Sequence, residues 1–475
     1  MEQTRSRLGV ALGLLSCCLS LAPVGAKEAS RPNIILMMCD DLGWGDVGFN
    51  GGTTIRTPHL DAMAGEGMRF ARFYSAAPVC SPTRGSCLTG RHPYRYEIPF
   101  ANSGHMKPEE WTLAEALGDV GYRTGHFGKW HLGTLTKTVV EANRGGPRGV
   151  AHFSPPQRNG FDVCFSAESK VPTYDPMRKP IGAPAGGHWD ALQPGQPSEA
   201  YGTHYWNERE EMQVANLEGG NPRVIMDRAA TFLRDSVAQE APFFAVIWFH
   251  SPHLPVVGDP AVMAPYRDYP VHQRNYYGCV TAMDQQVGRL RALLAELEVD
   301  QNTLTFFASD NGPEGPSKDP GSAGPFRGRK RSLYEGGVRV PAFVHYPRSV
   351  SGGGSMEAPC VTSDYLPTIL RTVGLERPDS RPLDGRDLWP LIQGDVRDRE
   401  SPIGFISRNQ RSWVDDRWKL ISQDAGASWA LYDVEADPGE TRDRAVENPD
   451  RVGAMKTAWN RWFASVERSA SGADY

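Results

Sequence analysis

The sequence predicts an α/β fold. Its large, mixed and mostly parallel sheet is expected to lie between layers of helices, with a small C-terminal antiparallel sheet packed against a helix. Three continuous apolar runs of strand length indicate strands covered on both faces, at 33–39, 242–249 and 302–308. Helical patterns at 221–238 and 276–297 accompany them. From about residue 400 the pattern changes to short strands and a closing helix, which predicts the second sheet. These segments are 403–406, 411–414, 418–421 and 429–432, then the helix near 451–466.

Length and composition predict a globular chain of more than one part. The 475 residues exceed the size at which a single core usually stops growing, and 40% hydrophobic with 23% charged residues is ordinary for a folded protein. We expect a main domain at 31–375 and a C-terminal subdomain at 376–475. An irregular insertion at 134–222, rich in Gly, Pro and aromatic residues, is expected to wall a pocket.

The first 26 residues predict a secretory signal. Arg5 and Arg7 precede an apolar run at 8–21, and small residues at 24–26 suit cleavage near Ala26. A membrane anchor is the alternative, but the run is shorter than the ~20 residues of a spanning helix. We therefore expect an exported protein, periplasmic or extracellular, without a membrane span.

Charge and cysteine usage limit the partners. The formal net charge is −5, and −6 after removal of the signal, which argues against nucleic acid as a partner. Six cysteines remain after cleavage; they do not form the pattern of a disulfide framework, although one or two bridges stay open.

Oxygen ligands follow two of the predicted core strands. Asp40 and Asp41 come after the first apolar run, and Asp310 and Asn311 come after the third. Adjacent carboxylates are costly unless a cation lies between them, and ligands collect at the carboxyl ends of parallel strands. Because no His/Cys cluster has zinc spacing, this donor set predicts Ca²⁺ or Mg²⁺.

The most informative stretch is 77–91, APVCSPTRGSCLTGR. Its Cys-x-Pro-x-Arg core followed by Leu-Thr-Gly-Arg resembles the signature of the type I sulfatases, an alkaline-phosphatase-like family. The resemblance implies that a formylglycine-generating enzyme converts Cys80 to formylglycine (3-oxoalanine), the precursor of the nucleophile. Arg84 lies in the same motif. The segment can begin a helix, whose free N–H groups and positive dipole end suit attack on an anion.

Four further blocks resemble the same family. They are DDLGWGD at 40–46, GKWHLG at 128–133, SDNGPE at 309–314 and YEGGVRVP at 334–341. The resemblance implies that one Ca²⁺ is held by Asp40, Asp41, Asp310, Asn311 and the matured residue 80. It also implies that Lys129, His131, His253 and Lys330 contact the sulfate or move protons, with Lys330 selected by its spacing from Tyr334.

The resemblance implies a reaction and a class of substrate. A hydroxyl of the hydrated aldehyde would attack the sulfur of a sulfate ester, Arg84, Lys129 and Lys330 would neutralise charge, His253 would protonate the leaving alcohol, and His131 would take up a proton. Export and the polar insertion favour a sulfated sugar or polysaccharide fragment. Candidate sugar contacts are Arg158, His188, Trp189, His204, Trp206 and Arg327.

Two other functions stay open. One is a phosphate or phosphonate ester hydrolase of the same superfamily. The other is an inactive secreted protein that binds sulfated glycans. The sugar, the sulfate position, and terminal or internal action do not follow from the sequence.

Overall fold

The computed structural model describes residues 1–2 and 31–475, so the predicted signal sequence falls almost wholly outside the described residues. All elements discussed below belong to the contact unit Pro32–Tyr475. Within the described ranges no helix combines the length and apolarity that crossing a bilayer requires.

Eighteen strands occur in the described residues. In chain order they are β1 (Asn33–Cys39), β2 (Met68–Phe70), β3 (Phe73–Tyr74), β4 (Arg123–Lys129), β5 (Val163–Ala167), β6 (Arg178–Pro180), β7 (Ser198–Ala200), β8 (Tyr205–Trp206), β9 (Met212–Gln213), β10 (Phe243–Trp248), β11 (Thr303–Ser309), β12 (Ala342–His345), β13 (Gly354–Met356), β14 (Cys360–Val361), β15 (Ile403–Ser407), β16 (Gln410–Asp415), β17 (Trp418–Ser422) and β18 (Ala430–Asp433).

Nine α-helices occur in the same described residues. They are α1 (Pro58–Glu66), α2 (Cys80–Thr89), α3 (Leu113–Gly118), α4 (Asn221–Ala238), α5 (Val271–Glu296), α6 (Glu335–Val338), α7 (Tyr365–Val373), α8 (Trp389–Ile392) and α9 (Pro449–Arg468).

Ten strands form the main sheet, in the order β13-β2-β12-β11-β1-β10-β4-β5-β8-β9. Strands β11, β1, β10, β4 and β5 are parallel neighbours. On one side of them β12 pairs antiparallel with β11 and β2, and the edge strand β13 pairs parallel with β2. On the other side β8 pairs antiparallel with β5 and β9. The predicted α/β class with a mixed, mostly parallel sheet is therefore confirmed. Because β1 lies in the middle of the parallel block, its carboxyl end adjoins those of β11 and β10.

The apolar run of β1 is continuous because helices cover both faces of the sheet. Ile34, Leu36 and Met38 belong to one hydrophobic cluster with residues of α2, α3 and α7. Ile35 and Met37 belong to a second cluster with residues of α1, α4 and α5. Alternate side chains of one strand thus enter opposite cores, as period-two geometry requires.

The predicted C-terminal sheet is also confirmed. Strands β15 to β18 form an antiparallel four-stranded sheet in sequential order. One face packs on α9 through Trp413, Leu420 and Trp459. The other face, including Phe405 and Ile421, packs on side chains of the main domain.

Two elements differ from the sequence prediction. The insertion 134–222 lacks sustained periodicity, yet its segment β5 joins the main sheet beside β4. A five-residue strand is too short to show a period, so its pairing partner decides its conformation. Helix α5 begins at Val271 rather than 276, because its first turn is polar and hides the apolar stripe.

The cysteines of the described residues are all free and buried: Cys39, Cys80, Cys87, Cys164, Cys279 and Cys360. The disulfide bridges that the sequence left open do not occur among them.

A buried ion triad joins the small sheet to the main domain. Lys419 on β17 lies 2.8 Å from Glu335 at the start of α6 and 3.2 Å from Glu440, and all three side chains are fully buried. Burial alone would lower the pKa of Lys419, but Glu335 and Glu440 raise it. The triad anchors the segment that carries Lys330.

We predict that Lys419→Met lowers the free energy of unfolding by about 3–5 kcal/mol, because it leaves the buried Glu440 without the cation it pairs with and Glu335 with Arg339 alone. Urea denaturation followed by tryptophan fluorescence measures the loss. Lys318→Met at an exposed position is the control and should change little. An unchanged midpoint in Lys419→Met would show that the triad contributes no net stability.

Candidate active site

The candidate site lies where four parallel strands end. Asp40 and Asp41 follow β1, Asp310 and Asn311 follow β11, Lys129 is the last residue of β4, and the turn containing His253 follows β10. Because the register places these carboxyl ends side by side, their side chains converge.

Helix α2 brings Cys80 to this edge as its first residue. Val79 before it is extended. The Thr83 hydroxyl fixes the start of the helix to the preceding segment by donating to the carbonyl oxygens of Ala77 and Val79. Cys80 is 2% exposed. Ligand atoms of Asp40, Asp41, Cys80 and His253 all lie within 4.8 Å of one another. The structure therefore brings the predicted nucleophile position to the predicted carboxylates.

Burial raises the pKa of the Cys80 thiol to about 12, even though Lys129 and Lys330 act to lower it. An unmodified thiol at this position is therefore protonated at neutral pH and is a poor nucleophile. This observation fits a site whose residue 80 acts in a form other than the thiolate.

Three cations balance the buried carboxylates. Lys129 Nζ lies 2.6 Å from Asp40 Oδ2, and Lys330 Nζ lies 2.6 Å from Asp41 Oδ1. Arg84 Nη2 donates to Asp310 Oδ2 at 2.7 Å. The structure thus brings all three predicted cations to the predicted carboxylates.

The pKa values of Asp40 and Asp310 shift in opposite directions. Burial by itself raises the pKa of Asp40, but Lys129, His253 and Arg84 together lower it well below its usual value. Burial and the neighbouring Asp40 raise the pKa of Asp310 to about 7. The neighbouring cations thus favour the charged form of Asp40 more than that of Asp310, and a divalent cation between the two groups would stabilise both carboxylates.

Two buried oxygens fit a cation. Asp40 Oδ1 and Asn311 Oδ1 have no hydrogen-bond partner among the described residues, although both atoms are inaccessible. Asn311 Nδ2 donates to Asp41 Oδ1 at 2.7 Å, which turns the carbonyl oxygen of Asn311 away from that carboxylate. Unpaired carboxylate and amide oxygens are the donors that Ca²⁺ and Mg²⁺ prefer.

His253 lies beside Asp41. Its Nε2 is 3.7 Å from Asp41 Oδ2, and its Nδ1 donates to the Leu254 carbonyl oxygen at 2.5 Å. Burial lowers the pKa of His253 to about 4. His250 is buried near Tyr205, and its Nδ1 lies 3.5 Å from the Tyr205 hydroxyl oxygen.

His131 lies just beyond the end of a strand, in a left-handed backbone conformation. Alternation along an extended strand would place Lys129 and His131 on one face, but β4 ends at Lys129 and His131 has φ of 58°. Its Nε2 lies 2.8 Å from Asn102 Oδ1. Burial, followed by the charges of Lys129 and Arg144, lowers the pKa of His131 well below its usual value.

The proposed sugar contacts are engaged within the protein. Arg158 lies 4.7 Å over the Phe153 ring, and Arg327 lies 3.9 Å over the Tyr334 ring. His188 stacks on His272 with centroids 4.1 Å apart. The structure holds these three side chains in separate clusters.

The aromatic candidates of the insertion are held in the same way. Glu141, which is buried, accepts from His204 at 2.7 Å and from Trp206 Nε1 at 2.6 Å. Trp189 is 9% exposed and packs with Val257. The contacts of Glu141 hold the insertion together internally, and the packing of Trp189 on Val257 attaches it to the main domain.

Sequence reasoning missed Asn102, Glu314 and Lys170. Glu314 lies 3.3 Å from Lys330 and pairs with Arg331. Lys170 is partly buried, and burial together with the charges of Lys129 and Lys330 lowers its pKa. The position of Glu314, four residues after Asp310, is a signal that could have found it; Asn102 and Lys170 lie in loops without one.

Comparisons with known proteins agree with this geometry. The family model described as Sulfatase matches residues 32–375, and the model described as N-sulphoglucosamine sulphohydrolase, C-terminal, matches residues 324–451. Steryl-sulfatase from Mus musculus is 34% identical over 458 residues, covering 83% of this chain and 70% of the relative. N-acetylgalactosamine-6-sulfatase from Rattus norvegicus is 33% identical over 416 residues, covering 83% and 72%.

Among solved structures, the crystal structure of Ps i-CgsB in complex with k-i-k-neocarrahexaose has a TM-score of 0.76 at 26% identity, covering 91% of this chain and 93% of that chain. The family model spans well over half of the sequence. The chain therefore belongs to the sulfatase family of sulfuric ester hydrolases.

Proposed function

We propose that this enzyme removes sulfate from a sulfated carbohydrate, with residue 80 matured to formylglycine and one Ca²⁺ bound beside it. The observation that carries the proposal is the convergence of Cys80, Asp40, Asp41 and His253 within 4.8 Å. The unpaired oxygens of Asp40 and Asn311 support the ion, and the protonated Cys80 thiol supports the need for maturation.

When present, the hydrated aldehyde supplies the oxygen nucleophile and Ca²⁺ withdraws charge from the sulfate oxygens. The ion would be held by Asp40, Asp41, Asp310, Asn311 and residue 80. Formylglycine requires a formylglycine-generating enzyme as a partner during maturation, and the predicted signal implies export.

Arg84, Lys129 and Lys330 orient the sulfate. All three are buried cations fixed by carboxylates, so they need little reorganisation when charge develops on the sulfate oxygens. Their fixed positions hold the ester in one orientation and exclude water from its charged face.

Because Nδ1 of His253 donates to the Leu254 carbonyl oxygen, Nε2 is the nitrogen that can pass a proton to the leaving alcohol, and it carries that proton when the ring is protonated. A bound anion beside Nε2 raises the pKa of this imidazole and favours its protonated form. His131 is neutral and accepts a proton at the other side of the site.

The carbohydrate assignment rests on relatives and on the insertion. A relative named N-acetylgalactosamine-6-sulfatase and a structural neighbour bound to a neocarrahexaose both act on or bind sugars by their names. The insertion adjoins the site through Glu168, whose backbone oxygen accepts from the backbone N–H of His131. A panel of sulfated sugars, a steroid sulfate and the matching phosphate esters tests the class: release of phosphate without sulfate would overturn the proposal.

We predict that the exported protein carries formylglycine at position 80. A tryptic peptide containing residue 80 should be lighter than the unmodified peptide by about 18 Da, the difference between CH₂SH and CHO. Protein produced without the maturation enzyme is the control and should keep the thiol mass. An unmodified, fully active enzyme would contradict the proposed nucleophile.

We predict that Ca²⁺ stabilises the folded protein. At a free concentration ~100 times its Kd, a ligand bound only to the native state adds about 3 kcal/mol, which raises the thermal midpoint. Asn311→Ala should abolish this increment, whereas Asn216→Ala at an exposed site should keep it. An equal increment in both variants would remove Asn311 from the ligand set.

We predict that Lys330→Ala lowers kcat/KM for a sulfate ester by roughly 10²–10³-fold, because one fixed charge on the developing anion is lost. Steady-state kinetics on matured enzyme measure the change. Lys318→Ala, which removes an exposed lysine, should stay near wild type. A comparable rate in both variants would show that Lys330 does not contact the sulfate.

A further inference from the structure

Two asparagine side chains from different loops, Asn102 and Asn143, form a hydrogen bond beside His131. Asn102 Oδ1 lies 2.8 Å from His131 Nε2, and Asn143 Nδ2 donates to the same oxygen at 2.8 Å. Asn143 Nδ2 also donates to Ser169 Oγ at 2.9 Å. Because the amide nitrogen of Asn143 supplies both of these bonds, the atom that Asn102 presents to His131 is its carbonyl oxygen, which can only accept.

The hydrogen bond to Asn102 determines which ring nitrogen of His131 carries the proton. A neutral histidine carries one proton, and a ring nitrogen that faces an acceptor must carry it. Nε2 of His131 is therefore the protonated nitrogen, and Nδ1 has a free lone pair. Nδ1 is buried and has no hydrogen-bond partner among the described residues, so it is available to a group inside the site.

Both asparagines are exposed, whereas His131 is only 4% exposed. Nε2 thus contacts an exposed partner, whereas Nδ1 points away from that partner and is buried. The charges that act on the ring include those of Arg84, Lys129 and Asp40, which are residues of the proposed sulfate and metal sites. The inward nitrogen therefore lies in the electrostatic field of the site.

The rim is held by buried anchors although its asparagines are exposed. The backbone N–H of His131 donates to Glu168 O at 2.9 Å, and Glu168 Oε1 accepts from the backbone N–H of Arg144 at 3.0 Å. Arg144 Nη1 in turn donates to Gly104 O at 2.5 Å, two residues from Asn102. Glu168 and Arg144 thus place His131, Asn143 and the Asn102 segment relative to one another.

Asn102 and His131 both have an unusual backbone conformation. Asn102 has φ of 62° and His131 has φ of 58°, in the left-handed region that non-glycine residues rarely adopt. Asparagine tolerates this region better than most residues, and strained residues persist only where surrounding contacts determine them. The pair is therefore a built arrangement of two unusual conformations that meet in one hydrogen bond.

We propose that Asn102, oriented by Asn143, is a positioning residue that holds His131 as the Nε2–H tautomer, with Nδ1 turned inward to accept a proton from residue 80. The inference rests on the proposed function for the proton acceptor role, and on the orientation of the Asn102 and Asn143 amides for the tautomer. In the transfer one proton moves from oxygen to Nδ1, the O–H electron pair stays on oxygen, and the imidazolium later returns its proton to water.

The first test is spectroscopic and needs no turnover. Full-length Cys80→Ala protein with ¹⁵N-labelled histidine is compared with His131→Gln in the same background, which identifies the His131 signals. Two-bond ¹H–¹⁵N correlation spectra then distinguish the two neutral tautomers. The expected result is a protonated Nε2 and a bare Nδ1, and a protonated Nδ1 overturns the proposal.

Three variants test the roles of the asparagines. Asn102→Leu removes the acceptor and should release the tautomer preference, whereas Asn102→Asp keeps an acceptor and should retain Nε2–H. Asn143→Asp removes the donor that fixes the Asn102 amide, so that amide can turn its NH₂ toward His131 and shift the ring toward Nδ1–H. Ser103→Ala is the control within the same segment, and an Asn102→Leu spectrum identical to it overturns the proposal.

Kinetics of the matured enzyme complete the test. Asn102→Leu should lower kcat by about 10- to 100-fold at nearly constant KM, since a misplaced general base loses most of its usual contribution. Asn102→Asp should recover part of the loss. Unchanged kcat in Asn102→Leu would overturn the positioning role, whereas a parent enzyme that has the Nε2–H tautomer but cleaves no sulfate ester would refute the proposed function instead.

Discussion

The structure of the site depends on one electrostatic constraint, the burial of three carboxylates at the ends of two adjacent strands. Asp40, Asp41 and Asp310 are at most 1% exposed, and such a group of like charges is unstable in a protein interior without compensation. Lys129, Lys330 and Arg84 supply that compensation from β4, from the segment before α6 and from α2. Each element that carries a cation is thereby tied to the central strand β1 and its neighbour.

The three cations do not satisfy every oxygen of the buried carboxylate group. Asp40 Oδ1 and Asn311 Oδ1 remain without hydrogen bonds within the described residues, and burial together with the nearby Asp40 raises the pKa of Asp310 to about 7. The same residues that hold the fold together therefore favour a further positive charge. A site that is stable only as a balance of opposite charges is also well suited to hold a sulfate against its cations, since little reorganisation is required.

The small C-terminal sheet contributes to this site from a distance. Lys419 pairs with Glu335, which begins α6 a few residues after Lys330. One face of the small sheet also packs on Tyr74 and Leu333 of the main domain. The backbone that presents Lys330 is therefore held between two cores, and the predicted C-terminal sheet acts as a support for the segment rather than as a separate binding unit.

Much of the fold followed from local pattern. The runs at β1, β10 and β11 are continuous in apolar residues because both faces are buried, and helix α4 has the bounds that its periodicity predicts. The sequence pattern did not predict short elements. Strand β5 has five residues, and only its pairing with β4 makes it a strand of the main sheet. Helix α5 has a polar first turn, so the hydrophobic pattern marks its start too late.

By itself the sequence determined which residue types were available for chemistry, since motifs such as that around Cys80 are contiguous and carry their own spacing. Tertiary structure decided which of them meet. It paired Lys330 with Asp41 across 289 positions, and it turned His131 out of strand geometry onto Asn102. It also engaged His204 and Trp206 with Glu141, contacts that no local pattern encodes. The physical reason is that burial and charge pairing are properties of the packed chain, and they act between residues whose separation in sequence carries no signal.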